Sequence, residues 1–530
     1  MSGTSPPHDE PGPAPAPELD ILLHSRGYLG LLLVAGLVGI PISAIAFGFL
    51  AAVHELEHVV WESLPERLGF DGPPAWWPIV ALGLAGVLCG LAVTRLPGHG
   101  GHVPAAGLTP GATPPRFLPG VVLAAASSLV LGAVIGPEAP LIALGGGLAL
   151  VAVSRMKSSE PGTAVIAAAG SAAAISAIFG NPLVGAVIFL EAVGLARRQS
   201  LLVILPCLIA SGVGALVFTG LGDWTGLGIG ALSIPDLEPA ELVTADLVSA
   251  IPLAAVVATA MWVIFVAGRK TASLASARPM PTTVTAGLVA SGVGALVFTG
   301  LGDWTGLGIG ALSIPNLEPA ELVTADLVSA IPLAAVVAAA MWVVFAVGRR
   351  TAGLARTRPW PTTLAAGLIT GCLAAFYAAV TDHSPAEVAM SGQATLPELA
   401  THPGDWSATA LVLLLICKGL AYAVCIGAFR GGSVFPAVFM GAASGVLASM
   451  WFPGIGAVDG LAIGMAAGAA VIGLPITSVL LVTLLLGDAA TDLMPAIILA
   501  AVTALVLNEM LTTRRLTPNA DVEVAPPAHP

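Results

Sequence analysis

Gly132-Ala-Val-Ile-Gly136-Pro-Glu-Ala-Pro140 and Gly427-Ala-Phe-Arg-Gly431-Gly-Ser-Val-Phe-Pro436 are each a glycine-rich break that leads into an apolar run. From Gly136 it is 46 positions to Pro182-Leu-Val-Gly and the run GAVIFLEA; from Gly431 it is 44 positions to Pro475-Ile-Thr-Ser and VLLVTLLLG. Matching order and spacing in two parts of one chain are the mark of an internal structural repeat. Repeats of this kind place a substrate where they meet, near the middle of a membrane. A third break, Gly98-His-Gly-Gly-His-Val-Pro104, has the same grammar. Glycine lets backbone N–H groups approach a ligand, and proline suits a first helical turn, where its missing donor is not needed. A helix N-terminus aimed at the membrane centre favours an anion, because its free amides and partial positive charge have no water to answer them. Three such ends predict an anion site; the alternative is that Gly and Pro merely kink packed membrane helices.

Composition supports a membrane setting. Of 530 residues, 56% are hydrophobic and 9% charged, against roughly 25% charged in an ordinary soluble domain. The mean hydropathy is +0.94, yet 63 Gly and 43 Pro interrupt the apolar runs, so many helices, several of them broken, are expected. The net charge of −12 and the scatter of 19 basic residues give no tract that would follow a phosphate backbone, which excludes nucleic acid as an expected partner. Cys89, Cys207, Cys372, Cys417 and Cys425 fall in apolar stretches without CxxC spacing and read as small buried residues. No nucleotide-binding loop occurs, and no cofactor is expected. Residues 1–18 read as a disordered tail and 513–530 as a short polar one, with no soluble regulatory domain. Arg26 ahead of the first span, and Arg514 and Arg515 after the last, place both termini in the cytoplasm of a multi-pass cell-membrane protein with an even number of crossings.

Residues 210–289 recur almost verbatim at 290–369, an offset of 80. Both copies contain ASGVGALVFTGLGDWTGLGIGALSIP; they differ at scattered positions such as Asp236 against Asn316. This is a recent duplication and not a solenoid. The chain therefore divides into the tail 1–18, a first membrane half 19–209, the copies 210–289 and 290–369, a second half 370–512 and the tail 513–530. Basic caps at Arg269-Lys270 and Arg349-Arg350 would keep both copies in the same orientation. One copy is expected to occupy the normal place and the other a lipid-facing position.

Glu138 sits inside the first-half break, where an acidic side chain costs about 2.5–3.5 kcal/mol on insertion scales, so it is expected to be functional. At a helix end that attracts anions, a carboxylate occupies the anion's own position; once protonated it loses that attraction and leaves. The alternative is a helix-capping acid without a gating role.

Together these residues resemble the CLC family of chloride channels and proton-coupled chloride transporters, in an atypical bacterial-type form. Gly136-Pro-Glu-Ala-Pro140 is similar to the family's GREGP-like segment, Pro182 to Glu191 to the helix that follows, and Gly431 to Pro436 to its GxFxP segment. The resemblance implies an all-α polytopic fold with an inverted internal repeat, a homodimer with one pore per subunit, and transport of chloride or a similar small anion. It places Glu138 on the gating glutamate and the anion contacts on Gly100, Gly101, His102, Gly136, Pro137, Ser433, Val434 and Phe435. Gly101 stands where a chloride-contacting serine is usual, and the C-terminal helix has no tyrosine, so an aromatic hydroxyl contact is expected to be absent. Ala192 stands where transporting members carry an internal glutamate, and Glu191 beside it is a candidate substitute on a proton path. The implication is channel-like conduction, with Cl−/H+ or fluoride/H+ exchange as the alternative.

A rival of another class is His54-Glu55-Leu56-Glu57-His58, which satisfies HExxH. On a helix this puts His54 and His58 on one face as zinc ligands with Glu55 as general base, as in intramembrane metalloproteases. A third ligand is wanting beyond a distant Asp459, and the stretch reads more simply as the polar end of the first long helix. His99 and His102 read as polar lining of a pore entrance. Trp224, Trp304 and Trp406, each in a GDW triplet, read as interfacial anchors.

Overall fold

The computed structural model describes residues 26–107, 113–154, 160–179, 181–193, parts of 206–217, 324–452, 454–487 and 489–513. The tails, the first copy beyond residue 217 and the second copy before residue 324 lie outside these residues. So do the readings that fall there, among them Trp224, Trp304, the caps at Arg269-Lys270, and Arg514-Arg515.

The described residues are helical almost throughout. In the first half the longer helices are α1 (Arg26–His58), α2 (Trp77–Arg95), α3 (Leu118–Leu129), α4 (Glu138–Val153), α5 (Glu160–Phe179) and α6 (Pro182–Val193). There follow α7 (Thr324–Thr357), α8 (Pro359–Thr381), α9 (Ala408–Ala428), α10 (Val434–Trp451), α11 (Ala457–Ala470), α12 (Pro475–Leu486) and α13 (Ala489–Thr513). Among the described residues, 7 helices are long and apolar enough to cross a membrane, while Glu138–Val153 and Pro475–Leu486 are apolar but short. The short ones start at the breaks picked out by sequence, which makes the protein an all-α polytopic membrane protein with broken helices.

Glycine has a packing role here. Lipid tails are as apolar as leucine, so helices in a membrane gain by close backbone approach rather than by hiding from solvent. Gly441 and Gly445 on α10 face Gly460 and Gly464 on α11 so closely that a Cβ at any of the four would run into the opposing backbone. Gly145 and Gly170 join α4 to α5, and Gly86 and Gly90 set α2 against Thr363 of α8 in the same way. Outside these seams, Leu33, Val80, Leu84, Val336 and Phe376 are exposed, as lipid-facing apolar side chains would be.

α7 carries the second copy into the packed body: Ala330, Ala334, Val337 and Met341 are buried on it. The expected lipid-facing surplus is therefore not this part of the second copy. The corresponding helix of the first copy lies outside the described residues.

Candidate anion site

The breaks of the two halves meet. Gly136 donates its N–H to Gly432 O at 2.9 Å and Gly432 donates back to Gly136 O, an antiparallel bridge between segments almost three hundred residues apart. From this bridge α4 starts at Glu138 and α10 at Val434. The Glu138 side chain is completely buried. Its Oε1 accepts the Phe435 N–H at 2.9 Å, so the carboxylate sits on the N-terminus of the opposite half's helix. Its Oε2 is buried with no hydrogen-bond partner. The absence of a side chain at Gly432 makes room for it, since a Cβ there would overlap Oε2. Phe435 also stacks on Phe179 of α5, ring centroids 5.3 Å apart.

Outer elements hold this arrangement in place. Trp61, in the π-helical turn after α1, donates Nε1–H to Val130 O at 3.2 Å and lies where a Cβ of Gly132 would fall, so Gly132, at φ +89°, admits no larger residue. Met390 donates its N–H to Gly132 O at 2.8 Å. The loop carrying Met390 is fixed in turn by Lys418 of α9. This lysine is wholly buried, and its ammonium donates to the carbonyls of Glu387, Val388, Ala389 and Met390 at 2.7, 3.3, 3.1 and 3.2 Å while lying 4.8 Å from the Phe439 ring centre. Three donors with four acceptors leave the ammonium fully engaged, which is how a buried lysine is tolerated. The Glu387 carboxylate accepts from Tyr377 Oη at 2.7 Å and Trp406 Nε1 at 3.0 Å, and pairs with His383 at 3.1 Å.

Glu138, Gly136, Pro137, Val434 and Phe435 are thus brought together, with Ser433 as the residue before α10. The expectation for the Gly98–Pro104 break needs correction. It does not open an α-helix among the described residues: Pro104 starts only a three-residue 3-10 turn, Pro104–Ala106, so among those residues two helix ends and not three converge. Gly98, His99, Gly100 and Gly101 all have positive φ, and this left-handed run turns the chain too tightly for a helix to start. Gly100 packs on Val93, Ala124 and the Arg430 stem, Gly101 packs on Val121, and His102 Nε2 contacts Gly107 O. Arg430 still ties this break to the Gly427–Pro436 break, donating Nε–H to His99 O at 3.2 Å. Sequence reasoning did not single out Tyr422 of α9, which is fully buried and donates to Ser433 O at 2.6 Å, beside the start of α10. Lys418, a lone cation inside the apolar run of α9, was a signal that went unused.

Glu191 is engaged as a helix cap. Its carboxylate accepts from Ile476 N at 2.6 Å, Thr477 N at 2.8 Å and Thr477 Oγ1 at 2.5 Å, holding α6 to the start of α12, its counterpart in the repeat. Ala192 follows it on α6. Trp406 is buried and bonded to Glu387, so it is no interfacial anchor. Cys372 is the exposed cysteine, while the other four are buried. The HExxH histidines diverge in their contacts: His58 pairs with Glu62 at 3.2 Å and approaches Ser63 Oγ at 3.3 Å, whereas His54 lines an internal cleft. Among the described residues no group of three or more His, Cys, Asp or Glu is arranged to hold a metal.

An all-helical membrane protein whose two halves meet at broken helices has the architecture of a transport protein. The chain belongs to the voltage-gated chloride channel family, whose model matches residues 85–307 and 274–509, two stretches that overlap inside the duplicated units. It is 30% identical over 240 residues to the "Putative ion-transport protein YfeO" of Escherichia coli and to that of Escherichia fergusonii; the match covers 44% of this chain. The chain spans about half the length of these curated relatives, 56%. Among solved structures, a slow cyanobacterial Cl−/H+ antiporter shares the fold, with TM-score 0.59 and 16% identity over 92% of this chain and 98% of that one. A CLC-type fluoride/proton antiporter does so with TM-score 0.56 and 13% identity over 91% and 96%.

Proposed function

We propose that the protein moves chloride or a similar small anion across the membrane, down its gradient, through a path that Glu138 closes. The observation that carries this reading is the buried carboxylate seated on the N-terminus of α10, one oxygen bonded to Phe435 N–H and the other without a partner. A helix N-terminus binds anions through its free amides and its dipole. The ionised Glu138 uses those same groups, so it competes with an inorganic anion for one place. Protonation removes the charge, weakens the bond to Phe435 N–H and lets an anion in. Flux therefore rises as pH falls.

Conduction without fixed proton coupling is favoured by the second half of the path. A proton acceptor must be free to take a proton, and Glu191 has both oxygens committed to the start of α12. Ala192 has no proton to exchange. Gly136, Pro137, Ser433, Val434 and Phe435 are the proposed anion surround, with Gly100, Gly101 and His102 forming its approach behind Arg430. A homodimer in the cell membrane with both termini cytoplasmic completes the proposal. Reconstitution tests it: liposomes containing the protein should release chloride on applying a gradient, without pumping protons uphill. Protons driven against their gradient by chloride would replace the channel reading with exchange, and an absence of anion flux would remove the function.

A further inference from the structure

Beside the gate lies a small cleft of about 30 Å³, room for a water molecule. Its floor reaches Ile135 and Pro137, the residue before Glu138, and one wall is the C-terminal end of α1, which contributes His54 and Glu57. The two are three apart and so share one face of the helix. Ser391 and Gln393 add polar groups from the loop fixed by Lys418, and apolar residues of α3 and α5 close the remainder. Among the described residues, neither the His54 nor the Glu57 side chain has a hydrogen-bond or ion-pair partner, and both are partly exposed. Their neighbours in sequence face elsewhere: Glu55 and His58 are exposed, and His58 is taken up by Glu62.

A carboxylate without a partner on a membrane helix is costly and by default functional. This one opens onto a polar cleft that ends one residue from a second carboxylate whose Oε2 also lacks a partner. We propose that the cleft is the proton port of the gate, with Glu57 as the group that loads a proton from bulk water and passes it toward Glu138, and His54 as the neighbour whose charge tunes that loading. In the transfer the O–H bond of the Glu57 carboxylic acid breaks and one forms on a Glu138 oxygen, directly or along water in the cleft; a hydronium ion from bulk then restores Glu57. His54 and Glu57 are the titratable residues lining the cleft; α3, the segment to Pro137, α5 and the 390–393 loop present uncharged side chains to it, and Glu138 lies just beyond. The route is distinct from the Glu191 end of the molecule. It rests on Glu138 being the gate.

The test steps the pH on one face of oriented proteoliposomes and follows the rise in chloride efflux. Glu57→Gln should slow that rise at least tenfold when the step is made on the α1 C-terminal face and leave it unchanged from the other face. Glu57→Asp, which keeps a carboxyl, should restore it, and His54→Gln should displace the pH at which flux is half-maximal. In a Glu138→Gln background Glu57→Gln should add nothing. A response in Glu57→Gln equal to that of the native protein overturns the port and leaves the gate standing. An equal loss of flux from Glu57→Gln in both backgrounds also overturns it, because the effect would then be structural. A native pH profile in Glu138→Gln alone removes the gate, and the port falls with it.

Discussion

Replacing Glu138 by glutamine keeps the shape of the side chain and an oxygen acceptor but removes the charge. In the native protein the bond from Phe435 N–H to the carboxylate, 2.9 Å long and buried, is charge-assisted. Such bonds contribute about 1.5–3 kcal/mol and neutral ones about 0.5–1.5 kcal/mol, so the amide gives up roughly 1–1.5 kcal/mol. The attraction of the α10 N-terminus for a negative charge is lost as well, about 0.3–1 kcal/mol and more in a buried setting. Together the closed position loses roughly 1.5–3 kcal/mol, which at about 1.4 kcal/mol per decade shifts the open-to-closed ratio by about ten- to a hundredfold. Glu138→Ala, which removes the bond entirely, shifts it further in the same direction. The difference shows at alkaline pH, where the native carboxylate is charged and the path closed; at acid pH the native protein approaches the mutants. Chloride efflux from proteoliposomes, recorded over a pH series, reads this directly. The native rate should climb as pH falls, with flat, high profiles for both variants. If both variants keep the native rate and slope, the carboxylate does not compete with the anion and the reasoning fails.

Gly432→Ala should also open the path, because its methyl group takes the space of Glu138 Oε2; flux at alkaline pH should rise in the same efflux assay, and an unchanged rate would show that the side chain can be seated elsewhere. Glu191→Gln should lower stability by about 1–2 kcal/mol through weaker capping of α12, read as a lower Tm in detergent, with the pH slope of anion flux preserved. Lys418→Met leaves the carbonyls of residues 387–390 without their donor, so stability should drop by about 1–3 kcal/mol or more, measured by thermal unfolding. Deleting 290–369 leaves 210–289 to occupy the α7 place with nearly the same sequence, and a dispersed protein with intact flux is expected; an aggregated product would show that both copies are integral.

What the sequence disclosed was mostly backbone chemistry. Gly136, Pro137 and the Gly431–Pro436 break are legible because a chain that must stop one helix and start another inside a membrane has few residues to do it with. Glu138 was legible through its cost in an apolar setting. The meeting of the halves followed from the matched spacing, although which atoms touch did not. Tertiary pairings escaped for a physical reason: Tyr422, Lys418 and Glu387 lie on segments whose local pattern is that of ordinary apolar helix or loop, and their roles exist only once partners far along the chain arrive. The Pro104 break shows the opposite failure. Its composition matched the others, yet four consecutive positive-φ residues, Gly98 to Gly101, spend the segment on a tight turn. Trp406 was misplaced because an aromatic beside a loop reads as an interface anchor, whereas its indole N–H is needed by a buried carboxylate.

The bridge between Gly136 and Gly432 bears on what kind of motion the molecule can use. Carriers that rock one half against the other need the seam at the substrate to part in every cycle. Here the seam is sewn by two backbone hydrogen bonds just ahead of Glu138, so parting the halves would break up the groups proposed above to receive the anion. A χ rotation of one glutamate leaves them untouched. Side-chain hops of this sort belong to a far faster class of motion than the μs–ms displacement of whole domains. Under the proposed gating by Glu138, the pace of the device would be set by how often a proton arrives, and the scaffold around it could remain still.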